Sequence, residues 1–182
     1  HCTRLCHASS VMALLEGIGS GAVSNQVSDV MKAEVIFLIG ANPIVNHPVA
    51  ATWIKNAAKN GAKLIIADPR RSSLSRYAWR TLQFNADTDV ALLNAMMHVI
   101  VHEGLVDKDF IAGRTIGYDE LKENVADYSP EKMAPICGID AETIKEVARA
   151  FAKSKGSMIL WGMGISQHVH GTDNARCLIA LS

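Results

Sequence analysis

Hydrophobic residues in this chain fall into two patterns. Some form short unbroken runs, and others recur every three or four positions. Val35-Ile36-Phe37-Leu38-Ile39 is an unbroken run closed by Gly40. A run without polar alternation fits a strand buried on both faces, as in a parallel sheet. Lys63-Leu64-Ile65-Ile66-Ala67 is a second such run, ended by Asp68-Pro69-Arg70-Arg71. Between them, residues 48–59 read as a helix. Pro48 near its first position forfeits no hydrogen bond, and Asn60-Gly61 supplies its end. Residues 35–67 thus make a βαβ unit. Further strands are expected over 80–84 and over 158–161, the latter closed by Gly162-Met163-Gly164.

Helical spacing fills the rest. Thr88 and Asp89 read as the cap of a helix over 89–103, with Val90, Leu93, Met97 and Val101 at helical intervals. Helical turns are expected over 107–112 and 117–125. Ser129-Pro130-Glu131 and Asp140-Ala141-Glu142 both read as helix starts, the second running to about Ser154. Near the start, residues 7–17 read as a helix with Val11, Leu14 and Leu15 on one face, broken by Gly17, Gly19 and Gly21. There is no internal repeat and no low-complexity segment. Strands alternating with helices predict an α/β fold, an open, mostly parallel, Rossmann-like sheet with helices on both faces. Such sheets bind ligands at the carboxyl ends of their strands. Those ends carry GANP, ADPRR and GMGISQH.

Composition narrows the function. The chain has 182 residues, 49% hydrophobic and 20% charged, which is globular and fits one domain. Lys and Arg total 18, as do Asp and Glu. A neutral chain argues against nucleic-acid or membrane-surface binding. No apolar run approaches the roughly 18–20 residues that span a bilayer, and no signal peptide is visible. The chain begins at His1, with two cysteines among its first six residues, and stops in the apolar stretch Ile179-Ala180-Leu181-Ser182. It reads as a piece of a longer polypeptide.

Several residues carry candidate chemistry. The loop from Gly40 to Val45 lacks the G-x-G-x-x-G fingerprint, so ordinary NAD binding is not expected. Gly40 still permits close backbone approach, with a helix N-terminus beyond it that can face a phosphate. Asp68 can bind a ribose hydroxyl or a guanine edge; alternatively Asp68-Pro69 is a turn, with Arg70 and Arg71 solvated. No C-x-x-C is present, so neither a zinc ribbon nor an iron–sulfur motif is expected within these residues. Cys2 and Cys6, near His1 and His7, have an unusual spacing for zinc. Cys6-His7 immediately precedes a helix, whose dipole favours a thiolate, either a nucleophile or a soft metal ligand. The alternative is a small buried cysteine beside a surface histidine. His98 and His102 lie four apart without the H-E-x-x-H pattern and read as ordinary helix residues. His168 and His170 can be ligands or contact a bound anion.

Taken together, Cys2-Thr3-Arg4-Leu5-Cys6-His7, Ile39-Gly40-Ala41-Asn42-Pro43 with His47-Pro48, Ala67-Asp68-Pro69-Arg70-Arg71, Thr88-Asp89-Val90-Ala91-Leu92-Leu93 and Gly162-Met163-Gly164-Ile165-Ser166-Gln167-His168 carry a resemblance. In order and spacing they resemble the catalytic subunits of molybdenum- or tungsten-dependent formate dehydrogenases, within the dimethyl sulfoxide reductase superfamily. The resemblance implies a metal ligated by Cys6 and a proton-handling role for His7. It implies bis-molybdopterin guanine dinucleotide carrying Mo or W, contacted by Gly40, Asn42, His47, Asp68, Arg70, Asp89, Met163, Gly164 and Gln167. Residues 1–182 are then one cofactor-binding α/β domain of a larger subunit.

The implied reaction is reversible oxidation of formate to CO2. Electrons leave by a 4Fe-4S cluster of the parent chain, outside this piece, toward electron-transfer subunits. The isolated piece is expected to be inactive, without nucleic-acid or membrane contact. The expected compartment is cytoplasmic, with the periplasm left open. A nitrate reductase of the same superfamily is the alternative, and His7 favours formate; a cofactor-binding domain with no activity of its own is another. Where members often carry Pro-Gly-Thr-Asp, this chain has Asn85-Ala86-Asp87-Thr88-Asp89.

Overall fold

Four parallel strands organise the chain: β1 (Val35–Ile39), β2 (Lys63–Ala67), β3 (Arg80–Leu82) and β4 (Ser157–Trp161). The computed structural model describes residues 2–182. The spatial order is β3-β2-β1-β4, with Val35 to Ile39 in register with Lys63 to Ala67 on one side and Ser157 to Trp161 on the other. All five residues of β1 are buried, as the unbroken apolar run predicts.

Successive side chains of a strand face opposite sides of a sheet. Ile36 and Leu38 join Leu64, Ile66 and the helix α4 (Pro48–Lys59) through Ile54 and Ala57. Val35, Phe37 and Ile39 face the other core. There they meet Leu92, Leu93 and Met96 of α5 (Asp89–His102), Ile144, Val147 and Phe151 of α9 (Ala141–Ala152), and Leu178 of α11 (Gly171–Leu181). Each such side chain contributes roughly 1.5–3 kcal/mol by leaving water. The remaining helices are α1 (Cys2–Cys6), α2 (Ala8–Ile18), α3 (Pro43–Asn46), α6 (Lys108–Arg114), α7 (Tyr118–Val125), α8 (Pro130–Cys137) and α10 (Met163–Ser166). Helices thus cover both faces of an α/β sheet.

Several expectations need correction. β3 ends at Leu82, not at residue 84. Its partner β2 stops at Ala67, and Pro69 has no N–H, so Gln83 and Phe84 find no ladder. The inward face of α2 is Ser10, Ala13 and Leu14, whereas Leu15 is exposed. Gly17 does not break α2. It lies inside the helix, where a Cβ would stand 3.0 Å from Ile179 Cγ2, and so lets α11 pack closely. The break comes at Gly19, in the left-handed conformation at φ 73°. Thr88 precedes α5 but makes no side-chain cap, because its hydroxyl donates back to Asn85 O at 2.6 Å.

Candidate functional site

The order of the strands places a switch point between β1 and β4, since the chain leaves β1 toward β2 on one side and returns as β4 on the other. The two strand-end loops meet there. Gly164 N–H donates to Gly40 O at 3.0 Å. A Cβ at Gly164 would lie 2.7 Å from Gly40 Cα, and one at Gly40 would lie 2.8 Å from the Gly164 carbonyl carbon. Gly40 is also left-handed, at φ 57°. Both positions therefore require glycine. Just beyond, Asn42 precedes α3, and its Oδ1 is buried with no hydrogen-bond partner among the described residues.

The junction of α1 and α2 docks onto α10. Cys6 ends α1 and stands one residue before the start position of α2, occupied by His7. Cys6 Sγ is 3.1 Å from Met163 Sδ, and Gln167 Nε2 lies 3.4 Å from Cys6 O and 4.0 Å from Cys6 Sγ. His7 Nδ1 is 3.1 Å from Ser166 Oγ. Cys6 and His7 are both half-buried. The fold therefore joins Cys6, His7, Met163 and Gln167, which are far apart in sequence, at the carboxyl end of β4.

A third group sits beyond β2 and β3. Asp89 is 3% exposed. Burial is the main reason its carboxyl is pushed up from the ordinary value of 3.8; a backbone hydrogen bond and His168 pull it down, and Asp87 and Asp68 push it further up. Asp87 Oδ1 is 3.6 Å from His168 Nδ1. Asp68 Oδ1 accepts from Arg70 N–H at 2.8 Å, the turn that the Asp-Pro pair predicts. Asp87 stands at φ 65°, the one left-handed residue other than glycine among those described. It occupies the glycine position of the Pro-Gly-Thr-Asp pattern, and aspartate is among the few residues that tolerate that conformation.

Two expected members stay apart from the rest. Among the described residues, neither the His47 ring nor the Arg70 guanidinium makes a hydrogen bond or ion pair with another member of the set. Both are exposed. Cys137 is buried and Cys177 partly so, and burial pushes each thiol up to about 11. The His98 and His102 rings lie 4.1 Å apart, with His98 Nδ1 2.8 Å from Val125 O, so they serve packing. No group of three or more metal-ligating side chains is found among the described residues. A zinc site on Cys2 and Cys6 near His1 and His7 lies partly outside the described residues, which do not include His1 or the Cys2 side chain.

Sequence reasoning missed the hydroxyls beneath Cys6 and His7, namely Ser9, Ser10 and Ser166. The available signal was Ser10, a polar residue at the helical interval before Ala13 and Leu14.

The family described as molybdopterin oxidoreductase matches residues 1–182. Formate dehydrogenase H of Escherichia coli is 40% identical over 181 residues, covering 100% of this chain and 25% of that protein. A nitrate reductase of Symbiobacterium thermophilum is 37% identical over 180 residues, covering 93% and 24%. Acetylene hydratase from Pelobacter acetylenicus superposes with a TM-score of 0.74 at 29% identity, covering 94% of this chain and 24% of that one. The chain thus spans about a quarter of each of these proteins. With the match running from its first described strand to its last, and with the paired glycine loops at the strand ends, the chain belongs to the molybdopterin oxidoreductase family.

Proposed function

We propose that this chain is the part of a formate dehydrogenase catalytic subunit that supplies the metal-ligating cysteine. On this reading residues 1–182 form one α/β domain holding molybdopterin guanine dinucleotide. The observation that carries it is the half-buried Cys6 thiol beside His7, held against Met163 and Gln167 at the strand-end edge. The side chains present fit such a cofactor. A thiolate suits a soft metal. Asn42 Oδ1 is a buried acceptor awaiting a donor, which a pterin or guanine N–H supplies. Gly40 and Gly164 let the two strand-end loops close on each other, and Arg70 offers a cation for a pyrophosphate.

When bound, the Mo or W centre supplies a two-electron acceptor, so that formate leaves as CO2 with one proton and two electrons. Cys6 holds the metal as its protein ligand. His7 stands beside it as the proton-handling residue. Gly40, Asn42, Asp68, Asp89, Met163, Gly164 and Gln167 bind and orient the cofactor, with His47 and Arg70 reaching it from the exposed loops. The 4Fe-4S cluster and the electron-transfer partners belong to the parent assembly.

The test is formate-dependent dye reduction by the parent chain purified without oxygen, set against nitrate-dependent dye oxidation. Formate turnover with Mo or W bound supports the reading. Nitrate turnover alone moves the chain to the reductases, a second reading favoured by the 37% identical nitrate reductase.

A further inference from the structure

The turn bearing Cys6 and His7 rests on a buried run of polar side chains that the reaction described above does not use. Trp161 Nε1 donates to Ser10 Oγ at 3.0 Å. Ser10 Oγ and Ser166 Oγ are 2.6 Å apart, and Ser166 Oγ is 3.1 Å from His7 Nδ1. Ser10 and Ser166 are 4% and 6% exposed, which leaves little room for water to replace either contact.

The direction of the run follows from donor inventory. An indole N–H only donates, and a serine has one hydrogen. Ser10 therefore accepts from Trp161, and its own hydrogen has Ser166 as its near partner. Ser166, having accepted, has its hydrogen left for His7 Nδ1 at 3.1 Å or for Gly162 O at the longer 3.5 Å. Donation to Nδ1 employs every hydrogen in the run at its shorter distance. The backbone of Ser166 is fixed independently. Ser9 Oγ donates to Ser166 O at 2.5 Å, Asn174 Nδ2 donates to the neighbouring Ile165 O at 3.3 Å, and a side chain at Gly171 would run into Ser166 O.

We propose that Ser166 is a positioning residue for His7: the run from Trp161 through Ser10 to Ser166 presents a hydrogen to Nδ1, holds the ring by that atom, and leaves the hydrogen of the neutral ring on Nε2. This inference rests on reading Cys6 and His7 as the reacting end of the chain. The tautomer is assigned from donor inventory. A ring held by one nitrogen keeps the other aimed, as a hydrogen-bonded partner orients histidines in catalytic sites generally.

The test uses the parent chain loaded with its metal. Three quantities are read: metal and pterin content, kcat and KM for formate, and the paramagnetic resonance line shape of the pentavalent metal. Ser166→Ala is expected to keep its metal, to lower kcat about tenfold with less change in KM, and to alter the line shape. Ser166→Thr, which keeps the hydroxyl, restores kcat and line shape. In a His7→Gln background, Ser166→Ala adds no further loss, because it acts only through the ring.

A metal-replete Ser166→Ala chain with unchanged kcat and line shape overturns the proposal, as does an equal loss whether or not His7 is present. If Ser166→Ala fails to hold metal, Ser10→Ala decides: a reduced kcat with full metal supports the run, and a kcat equal to that of the unmodified chain refutes it. A metal-replete parent chain that ignores formate removes the reading of function, while the line shapes of the two serine variants still decide the positioning role.

Discussion

The two ends of the sheet differ in how their polar groups are satisfied. At the amino end, a groove of about 980 Å³ is lined by Glu34, Lys63, Trp79, Glu146 and Arg149. Its charges find partners within the chain. Arg80 Nε is 2.8 Å from Glu146 Oε2, and Arg149 Nη2 is 2.7 Å from Glu103 Oε1. Lys63 and Arg80 each lie 4.7 Å from the centre of the Trp79 ring. At the carboxyl end, among the described residues, Asn42 Oδ1 lacks a donor and the buried Asp89 carboxyl forms no ion pair. The lesson is that size alone does not locate a site. Ser75 Oγ, shortly before β3, is a second buried atom without a partner, so the contrast rests on Asn42 standing beside the strand-end glycine loops, where a ligand can complete it.

The largest expected effect falls on the reacting end. Cys6→Ala should abolish formate oxidation by the parent chain, with loss of at least about three orders of magnitude in kcat/KM if the thiolate is the metal's protein ligand. Metal content and an unfolding curve measured beside activity separate loss of the ligand from loss of the fold. Retained turnover sinks the assignment of Cys6.

A stability contrast comes next. Gly164→Ala sets a Cβ 2.7 Å from Gly40 Cα, backbone against backbone, where neither strand end can yield without moving β1 or β4. It should cost about 1–3 kcal/mol, as overpacking does. Gly156→Ala, at the amino end just before β4, meets nothing within 4 Å. It should be neutral or gain up to about 1 kcal/mol from the restricted unfolded chain. Urea unfolding of both variants checks the comparison; equal midpoints would mean that the carboxyl end is no more tightly closed than the amino end.

These two ends were unequally legible in the sequence. Strands β1 and β2 and the helix between them followed from unbroken apolar runs and from Pro48 and Gly61, because burial on both faces leaves a plain mark. The loops at the strand ends were marked by their Gly, Asn, Asp and Pro residues, while their assignment to a cofactor came only from the family resemblance. What stayed hidden depends on contacts between distant segments. Nothing near Gly164 announces that it must meet Gly40, and nothing near Ser166 announces His7. The inward face of α2 was misread because Ser10 and Gly17 are polar or bare, while the larger Leu15 faces outward.

Asp89 offers a pH handle on the carboxyl end. Burial, with Asp87 and Asp68, raises its carboxyl above 3.8 in the folded chain. The native state therefore holds this proton more tightly than the unfolded state does. The resulting loss of stability is absent below the ordinary value, grows as pH rises toward the raised value, and is complete above it. Asp89→Asn carries no charge and escapes this loss. Its stability relative to the unmodified chain should rise with pH across that window, while the parent chain bearing it holds less cofactor. Parallel stability curves in urea from pH 4 to pH 7 would refute the first expectation, and unchanged pterin content the second.

The smallest effect sharpens the same point. Asp87 sits left-handed at φ 65°, and Asp87→Gly removes that backbone cost of about 1 kcal/mol or less. Glycine also loosens the unfolded chain by a comparable amount, so net stability near pH 4 should change little. The informative quantity is the slope with pH. Asp87 is one of the charges that push the Asp89 carboxyl up, and removing it should lower that carboxyl toward its ordinary value. The fall in stability between pH 4 and pH 7 should then be shallower in Asp87→Gly than in the unmodified chain. In an Asp89→Asn background the same substitution should leave the slope unchanged, because the group that responds is gone. An equal change of slope in both backgrounds would show that Asp87 does not act through Asp89, and would leave burial and Asp68 as what raises the Asp89 carboxyl.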